Sequence, residues 1–223
     1  MELDHKKFFA AIRPSLGALT TANVVGFELV LAEAKRRSTG LPHVAYVLGT
    51  AWWESGKTMQ PVREAYWLSE AWRKKNLRYY PYYGRGLVQI TWLENYKKAG
   101  DRYGVDFVNN PDLVMDPKHS INILFDGMIE GWFTAKKLDD YIDDVDESDD
   151  EDLKEYVAAR RIVNGVDKQL EIGKLALMFE KALRSSIRPS TVTTIELPEH
   201  DLADVRTYIA EARVALDKAE AAL

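Results

Sequence analysis

The chain has 223 residues, 46% of them hydrophobic and 29% charged, which is the composition of an ordinary soluble globular protein. Its formal net charge of −5 argues against a protein whose main partner is nucleic acid. The sequence contains no cysteine, which excludes disulfides and thiolate chemistry, and its four histidines show no metal-ligand spacing. We therefore expect no metal site and no cofactor.

The sequence also lacks a strong membrane or secretion signal. No apolar run approaches the ~20 residues that a membrane-spanning helix needs. The apolar stretch at residues 8–12 is interrupted by Pro14 and is too short for a secretory signal. We expect no membrane insertion and a protein that stays in the cytoplasm of the cell that makes it until something else releases it.

Helical periodicity covers most of the chain, which predicts a mainly α fold. The first predicted helix runs from a cap at Thr21 or Asn23 to Gly40, and the second runs from Val44 to a stop at Gly56, with Val47, Leu48 and Ala51 at helical spacing. A third, long helix starts at Pro117, and its apolar face is formed by Ile121, Phe125, Met128, Trp132 and Ala135. A fourth precedes Pro189, with Leu175, Phe179 and Ala182 on one face.

One segment has an extended pattern instead. Between Gly86 and Trp92, Gln89 and Thr91 alternate with apolar residues, which predicts a short strand with these two side chains on one face. Tryptophans and tyrosines are concentrated around it, at 52–53, 66–67, 72, 79–83 and 92. The cluster fits an aromatic core, but it fits a groove that stacks on sugar rings better.

Two segments look like additions to the main domain. Residues 139–155 carry eleven acidic residues and one basic residue, Lys154, and predict a solvated loop. A calcium loop starting at Asp144 is the alternative, but its sixth position, Asp149, is not the glycine that such a loop requires. Residues 188–223 predict a linker and a C-terminal helix. Its thin apolar seam favours docking on the parent domain over a coiled-coil dimer, so we expect a monomer.

Carboxylates are the leading catalytic candidates once thiolate and metal chemistry are excluded. Glu54 lies on the apolar face of its predicted helix, beside Trp53 and near the negative end of the helix dipole. These surroundings disfavour the charged carboxylate, as a general acid requires. Glu64 follows ten residues later and can face Glu54 across a groove, but spacing alone allows Glu70 in its place.

Three runs of the sequence resemble glycoside hydrolase family 19, the family of plant-type chitinases and of many phage endolysins. They are Ala-Trp-Trp-Glu-Ser-Gly at 51–56, Pro-Val-Arg-Glu at 61–64 and Tyr-Tyr-Gly-Arg-Gly-Leu-Val-Gln-Ile-Thr-Trp at 82–92. The resemblance continues through 95–96, 104–106 and 110–114 and closes with Arg-Arg-Ile-Val-Asn-Gly at 160–165. It covers roughly residues 40–185 and implies a lysozyme-like bilobal helical domain, here residues 1–187, with a small extended region beside the cleft.

The resemblance also implies the roles of individual residues. Glu54 would be the general acid and Glu64 the general base, with Thr91 helping to hold the attacking water. The residues implied to bind substrate are Gln89, Asn164, Tyr83 and Arg85, of which the last two would line the cleft or brace its carboxylates. One departure is Trp53, which stands where the family usually has histidine and can maintain an apolar environment for Glu54.

From these features we expect an inverting glycosidase that cleaves the glycan strand of bacterial peptidoglycan, as a muramidase-type endolysin. Such a protein would be made in the cytoplasm of a phage host and would act on the cell wall after release at lysis. The first alternative is a chitinase acting on β-1,4-linked N-acetylglucosamine polymers. The second is an inactive sugar-binding module, which the presence of both Glu54 and Glu64 disfavours.

Overall fold

The computed structural model describes residues 2–145 and 148–188, and helices account for most of them. The mainly α fold class predicted from the sequence is confirmed. The elements are α1 His5–Leu16, α2 Thr21–Arg37, α3 Leu41–Glu54, β1 Val62–Arg63, α4 Glu70–Asn76, β2 Arg85–Gly86, α5 Leu93–Tyr103, α6 Pro117–Ile129, α7 Asp149–Ala159 and α8 Gln169–Ser186, with 3-10 helices at Pro111–Met115, Leu138–Asp140 and Arg160–Ile162.

The core is built around α3. Every residue from Val44 to Trp52 is buried, as expected for a helix that is apolar on nearly all sides. α8 packs closely against α3, because a Cβ at Gly49 would lie only 3.1 Å from the backbone nitrogen of Ala176. The core therefore anchors α3 as far as Trp52, two residues before its end at Glu54.

The loop after α3 is tied to the start of α2. Thr20, rather than the predicted Thr21 or Asn23, is the N-cap, and the Asn23 side chain completes a capping box with it. The Asn23 amide also donates to the carbonyl oxygens of Lys57 and Thr58, at 3.0 and 2.8 Å. Two elements thus fix the chain that follows Glu54: the buried helix before it and the N-terminus of α2 beside it.

The two strands form a small antiparallel sheet in which Val62 pairs with Gly86 and Arg63 pairs with Arg85. This sheet holds the segment that ends in Glu64 against the segment that begins at Gly84, since the Glu64 nitrogen donates to the Gly84 oxygen at 2.7 Å. The small extended region expected beside the aromatic cluster is present.

The predicted strand from Gly86 to Trp92 is wrong. After β2 the chain turns back, so that Arg85 and Ile90 exchange two backbone hydrogen bonds of 3.2 and 3.0 Å. Gln89 and Trp92 have φ values of +54° and +75°, in the left-handed region that breaks the alternation of a strand. Gln89 consequently lies in a tight turn and Thr91 follows the bridge residue Ile90, so the two do not share a strand face.

The acidic segment is not one loop. Asp149 begins α7, and the four acidic residues 149–152 occupy its first turn, where they interact favourably with the helix dipole. The sixth position of the alternative calcium loop is therefore already helical. Within residues 2–145 and 148–188, no three histidine or carboxylate side chains are grouped so that they could hold a metal ion.

The end of α6 differs from the sequence prediction, and the C-terminal segment cannot be compared with it. α6 ends at Ile129, so the predicted positions Trp132 and Ala135 lie beyond it. The predicted linker and C-terminal helix fall outside the described residues except for Arg188, and with them the argument for a monomer. In the part of the chain that is described, no helix combines the length and apolar character needed to cross a bilayer.

Candidate active site

A cleft of about 430 Å³ opens at the C-terminal end of α3. Its walls come from the end of α3, from the chain around the small sheet, and from the segments that follow α6 and the 3-10 helix at 160–162. The lining residues are Glu54, Glu64, Tyr79, Gly84, Val88, Gln89, Thr91, Trp92, Asn95, Phe133, Val163 and Asn164. Five of the seven site residues predicted from the sequence are among them.

Glu54 reaches the cleft from the last turn of α3, with 17% of its side chain exposed. Arg160, which is almost fully buried, donates from Nη1 to Glu54 Oε1 at 2.7 Å. The Nε of the same guanidinium donates to the Asp167 carbonyl at 2.9 Å, which fixes its plane. The carboxyl therefore has a defined orientation, and the surroundings are more polar than the apolar pocket predicted from the sequence.

Glu64 faces the same cleft from the chain just after β1. Its Oε1 accepts a hydrogen bond from the Tyr79 hydroxyl at 2.6 Å, and its Oε2 accepts one from the Gly84 backbone nitrogen at 3.0 Å. Burial and the neighbouring carboxylate raise the pKa of Tyr79 to about 12, so the phenol remains a donor at neutral pH. Both oxygens of Glu64 thus have a fixed donor.

The structure separates Glu64 from the alternative Glu70. Glu70 begins α4, with 53% of its side chain exposed, and its carboxylate binds Arg73 and the Tyr83 hydroxyl instead of facing the cleft. Glu64 is consequently the second carboxylate of the cleft.

Gln89 and Gly84 line the cleft together with Glu64 and leave no space between them for a further side chain. The Gln89 side-chain nitrogen donates to the carbonyl oxygens of Val62 and Gly86, at 2.8 and 3.0 Å, which fixes the amide plane. A Cβ at Gly84 would lie 2.8 Å from Gln89 Oε1 and 3.3 Å from Glu64 Oε2. Position 84 must therefore lack a side chain for these two groups to occupy their places.

Thr91 lines the cleft two residues after Gln89, just beyond the turn that holds Gln89. Its hydroxyl donates to the Gln89 carbonyl oxygen at 2.8 Å, and its own carbonyl accepts from the Asn95 amide at 2.9 Å. Because its proton is already used, the Thr91 hydroxyl can offer only lone pairs to a bound molecule.

The opposite wall combines an apolar surface with Asn164. Phe133 and Val163 supply the apolar part, and Asn164 is exposed beside them. On the rim, Trp92 is 45% exposed and its ring contacts that of Tyr79 edge to face, with centroids 5.1 Å apart. The cleft thus offers carboxylates, amides and aromatic faces within one groove.

Tyr83 and Arg85, which the sequence predicted to bind substrate, do not line the cleft. They are 1% and 2% exposed, and the Arg85 guanidinium carbon lies 3.6 Å from the centre of the Tyr83 ring. Arg85 donates to Asp112 at 2.8 Å and to the Tyr96 hydroxyl at 3.0 Å. Because Tyr83 and Arg85 are buried, they support the wall of the cleft and do not contact substrate.

Trp53 is not among the lining residues of the cleft. Its side chain lines a separate groove, together with Leu16, Leu175 and Met178. The prediction that this indole keeps the surroundings of Glu54 apolar stays a prediction, and the contact that the structure shows for the Glu54 carboxyl is with Arg160.

Sequence reasoning missed two polar residues of the site, Arg160 and Tyr79. Arg160 belongs to the run 160–165 that carries the family resemblance, so its position in that motif was an available signal. Tyr79 sits in a tyrosine-rich stretch in which nothing distinguishes it from Tyr80 or Tyr82.

The chain is similar to several known proteins. The family model described as "Chitinase class I", of glycoside hydrolase family 19, matches residues 33–173, more than half of the chain. Chitinase 11 from Oryza sativa subsp. japonica is 40% identical over 95 residues, which are 38% of this chain and 36% of that protein. Inactive chitinase-like protein 1 from Hevea brasiliensis is 43% identical over 55 residues, which are 25% of this chain and 17% of that protein.

These matches are partial, since the chain spans about a third or less of the length of these curated relatives. A solved structure, chitinase C from Streptomyces griseus HUT6037, shares the fold, with a TM-score of 0.51 and 18% identity over 84% of this chain and 78% of that one. By the match of the family model, this chain belongs to glycoside hydrolase family 19, the chitinase class I family.

Proposed function

We propose that the protein is an inverting glycosidase that hydrolyses β-1,4-linked N-acetylglucosamine polymers of the chitin type. The observation that carries this proposal is the pair of carboxylates, Glu54 and Glu64, on one cleft. Membership of glycoside hydrolase family 19 and the names of the similar proteins, most of which are chitinases, support the choice of chemistry and substrate.

Glu54 would serve as the general acid. Arg160 holds Oε1, so Oε2 is the oxygen that would carry the proton and deliver it to the glycosidic oxygen. Because Arg160 and α3 fix the carboxyl, the proton is held in one direction with little freedom to reorient, which lowers the entropic cost of the transfer.

Glu64 would serve as the general base. Tyr79 and the Gly84 nitrogen each donate to one of its oxygens, which holds the carboxylate in a fixed orientation for accepting a proton. An inverting enzyme needs room for a water between its two carboxyl groups, which are typically ~6.5–9.5 Å apart.

Thr91 would complete the binding of that water. Its hydroxyl already donates to the Gln89 carbonyl, so towards water it acts as an acceptor. The water would donate one proton to Glu64 and one to Thr91, which leaves an oxygen lone pair directed at the anomeric carbon. Attack breaks the glycosidic bond, Glu64 takes a water proton, and the leaving oxygen receives the proton of Glu54.

The sugar would bind through the remaining lining residues. Asn164 offers an amide that can pair with an acetamido group, and the exposed face of Trp92 suits the apolar face of a pyranose ring. Peptidoglycan also contains N-acetylglucosamine, and the expectation from the sequence is that peptidoglycan is the substrate. The similar proteins are named for chitin, which is why we place a chitin-type polymer first. Phage origin, action after lysis and cleavage of peptidoglycan stay predictions.

The test compares the wild type with Glu54→Gln, Glu64→Gln and the control Glu70→Gln on N-acetylglucosamine hexamer and on purified peptidoglycan. We expect cleavage of the hexamer, and a loss of ~10² to 10⁴ in turnover for the first two variants, with a folded circular dichroism spectrum. Glu70→Gln should stay within a few-fold of wild type. The new reducing end should appear first as the α-anomer, measured by proton NMR.

Three results would contradict the proposal. Release of the β-anomer first would exclude inversion, and wild-type turnover in Glu54→Gln would exclude the general acid. Cleavage of peptidoglycan without cleavage of the hexamer would replace chitin by peptidoglycan as the substrate.

A further inference from the structure

An exposed pair of aromatic rings lies directly after Glu64. Tyr66 and Trp67 are 57% and 71% exposed, and Trp67 is more exposed than any other large hydrophobic residue among those described. Their rings meet edge to face, with centroids 5.2 Å apart and planes at 83°. Two adjacent rings held in solvent are costly, because the apolar surface of both stays in water.

The backbone that carries these rings is fixed. The turn at residues 65–68, which we call the aromatic turn, closes with a hydrogen bond of 2.8 Å from the Leu68 nitrogen to the Ala65 oxygen. The Arg73 guanidinium, which is buried, donates to the carbonyl oxygens of both Ala65 and Leu68. Ala65 has φ +48°, an uncommon conformation for a residue with a side chain, and the Arg73 clamp maintains it. The turn is therefore held in one conformation although its rings are exposed.

The aromatic turn adjoins the cleft. Glu64, which lines the cleft, immediately precedes it. The Tyr66 ring approaches to 3.9 Å the point where a Cβ of Gly56 would lie, two residues after Glu54. Tyr66 thus lies two residues after Glu64 and beside the loop that follows Glu54, although it is not itself a lining residue of the cleft.

We propose that the aromatic turn is a binding platform for sugar units of the polymer that lie outside the cleft, with Trp67 as the principal stacking surface. The proposal rests on the proposed function, because it extends the same glycan. The exposed rings suit the apolar faces of pyranose rings. Because Arg73 fixes the turn before binding, little ordering entropy is lost when sugar binds. The occupant is one strand of the substrate, since the turn directly follows Glu64 and its Tyr66 lies beside the loop that follows Glu54.

The test measures kcat/KM on the N-acetylglucosamine hexamer and on the tetramer, and takes their ratio as the chain-length selectivity. The variants are Trp67→Ala, Trp67→Phe, which keeps a ring, and Trp72→Ala as the matched control. Trp72 lies on α4, is 38% exposed and is not among the lining residues of the cleft.

We expect the selectivity to fall about tenfold in Trp67→Ala, which corresponds to about 1.4 kcal/mol of binding. It should fall less than threefold in Trp67→Phe and stay within twofold of wild type in Trp72→Ala. The melting temperature of Trp67→Ala should remain close to that of wild type, because the side chain is mostly in solvent. An unchanged selectivity in Trp67→Ala, or an equal fall in Trp72→Ala, would overturn the proposal.

A second measurement separates this proposal from the proposed function. If the wild type cleaves neither oligomer, the proposed function fails, and titration calorimetry of hexamer binding then tests the platform by itself. About tenfold weaker binding in Trp67→Ala would support the platform. Equal affinity in the two proteins, or no binding to the wild type, would overturn it.

Discussion

While Glu54 is ionised, its ion pair with Arg160 should stabilise the protein, and when the carboxyl carries the proton the same guanidinium orients it. The ion pair joins residues 106 positions apart, with 2% of one side chain and 17% of the other exposed. At the 2.7 Å contact distance, with unit charges centred ~4 Å apart and an effective dielectric constant of ~20, the attraction is about 4 kcal/mol. The partial exposure of Glu54 reduces this to about 2 kcal/mol, because solvent screens the pair.

The perturbation is Arg160→Met, which keeps much of the length of the side chain and removes its charge. It leaves the Glu54 carboxylate without its cation and removes the hydrogen bond to the Asp167 carbonyl, worth about 1 kcal/mol. We therefore expect a loss of about 3 kcal/mol in the free energy of unfolding. Arg161→Met is the matched control, since Arg161 is exposed, and should cost less than about 0.5 kcal/mol.

The assay is urea unfolding of a double-mutant cycle with Glu54→Gln. When both charges are removed, neither is left uncompensated, so the double variant should lose about 2 kcal/mol less than the sum of the single losses. Additivity within about 0.5 kcal/mol would show that the two residues are not coupled and would refute the reasoning.

Three further predictions concern the wall around Glu64. Thr91→Val should lower kcat more than it raises KM, because it removes the acceptor for the attacking water; equal effects in steady-state kinetics would indicate a binding role instead. Gly84→Ala should lower kcat at least tenfold with a small change in melting temperature, since its Cβ would displace Gln89 Oε1 and press on Glu64 Oε2; wild-type kcat would contradict the packing argument. Tyr79, whose pKa is raised to about 12 from an unfolded value near 10, contributes stability that is fully present below pH 10 and is lost as the pH rises through 12. The stability that wild type holds over Tyr79→Phe should therefore shrink in urea unfolding between pH 10 and 12, and a constant difference would show that Tyr79 titrates as in the unfolded chain.

Local patterns predicted the parts of the site that depend on neighbouring residues. The buried face of α3 could be read from its apolar spacing, so the placement of Glu54 at the end of a core helix followed from the sequence alone. The choice between Glu64 and Glu70 could not be made in this way, because both follow Glu54 at a distance that a loop can span. The structure decides it through Tyr79 and the backbone of Gly84, which hold Glu64 at the cleft.

Other features depend on contacts that periodicity does not describe. The segment at 86–92 has the composition of a strand, but the left-handed residues Gln89 and Trp92 turn it back on itself, and neither residue type signals such a conformation. Arg160 reaches Glu54 from far along the chain, and a charged residue after a helix ordinarily predicts a solvated surface. Tyr83 and Arg85 look like polar groups available to substrate, yet they satisfy one another and their neighbours inside the wall.

The long sequence separation of Arg160 from Glu54 also determines when the cleft can be completed during synthesis. Chains grow at about 5–20 residues per second, so the guanidinium follows the carboxylate by roughly 5 to 20 seconds. In that interval the nascent chain already carries both Glu54 and Glu64, but nothing holds the acid in its final direction. Turnover therefore has to wait until α7 and the segment after it have been made, and a fragment that stops before Arg160 would have both carboxylates without a working cleft.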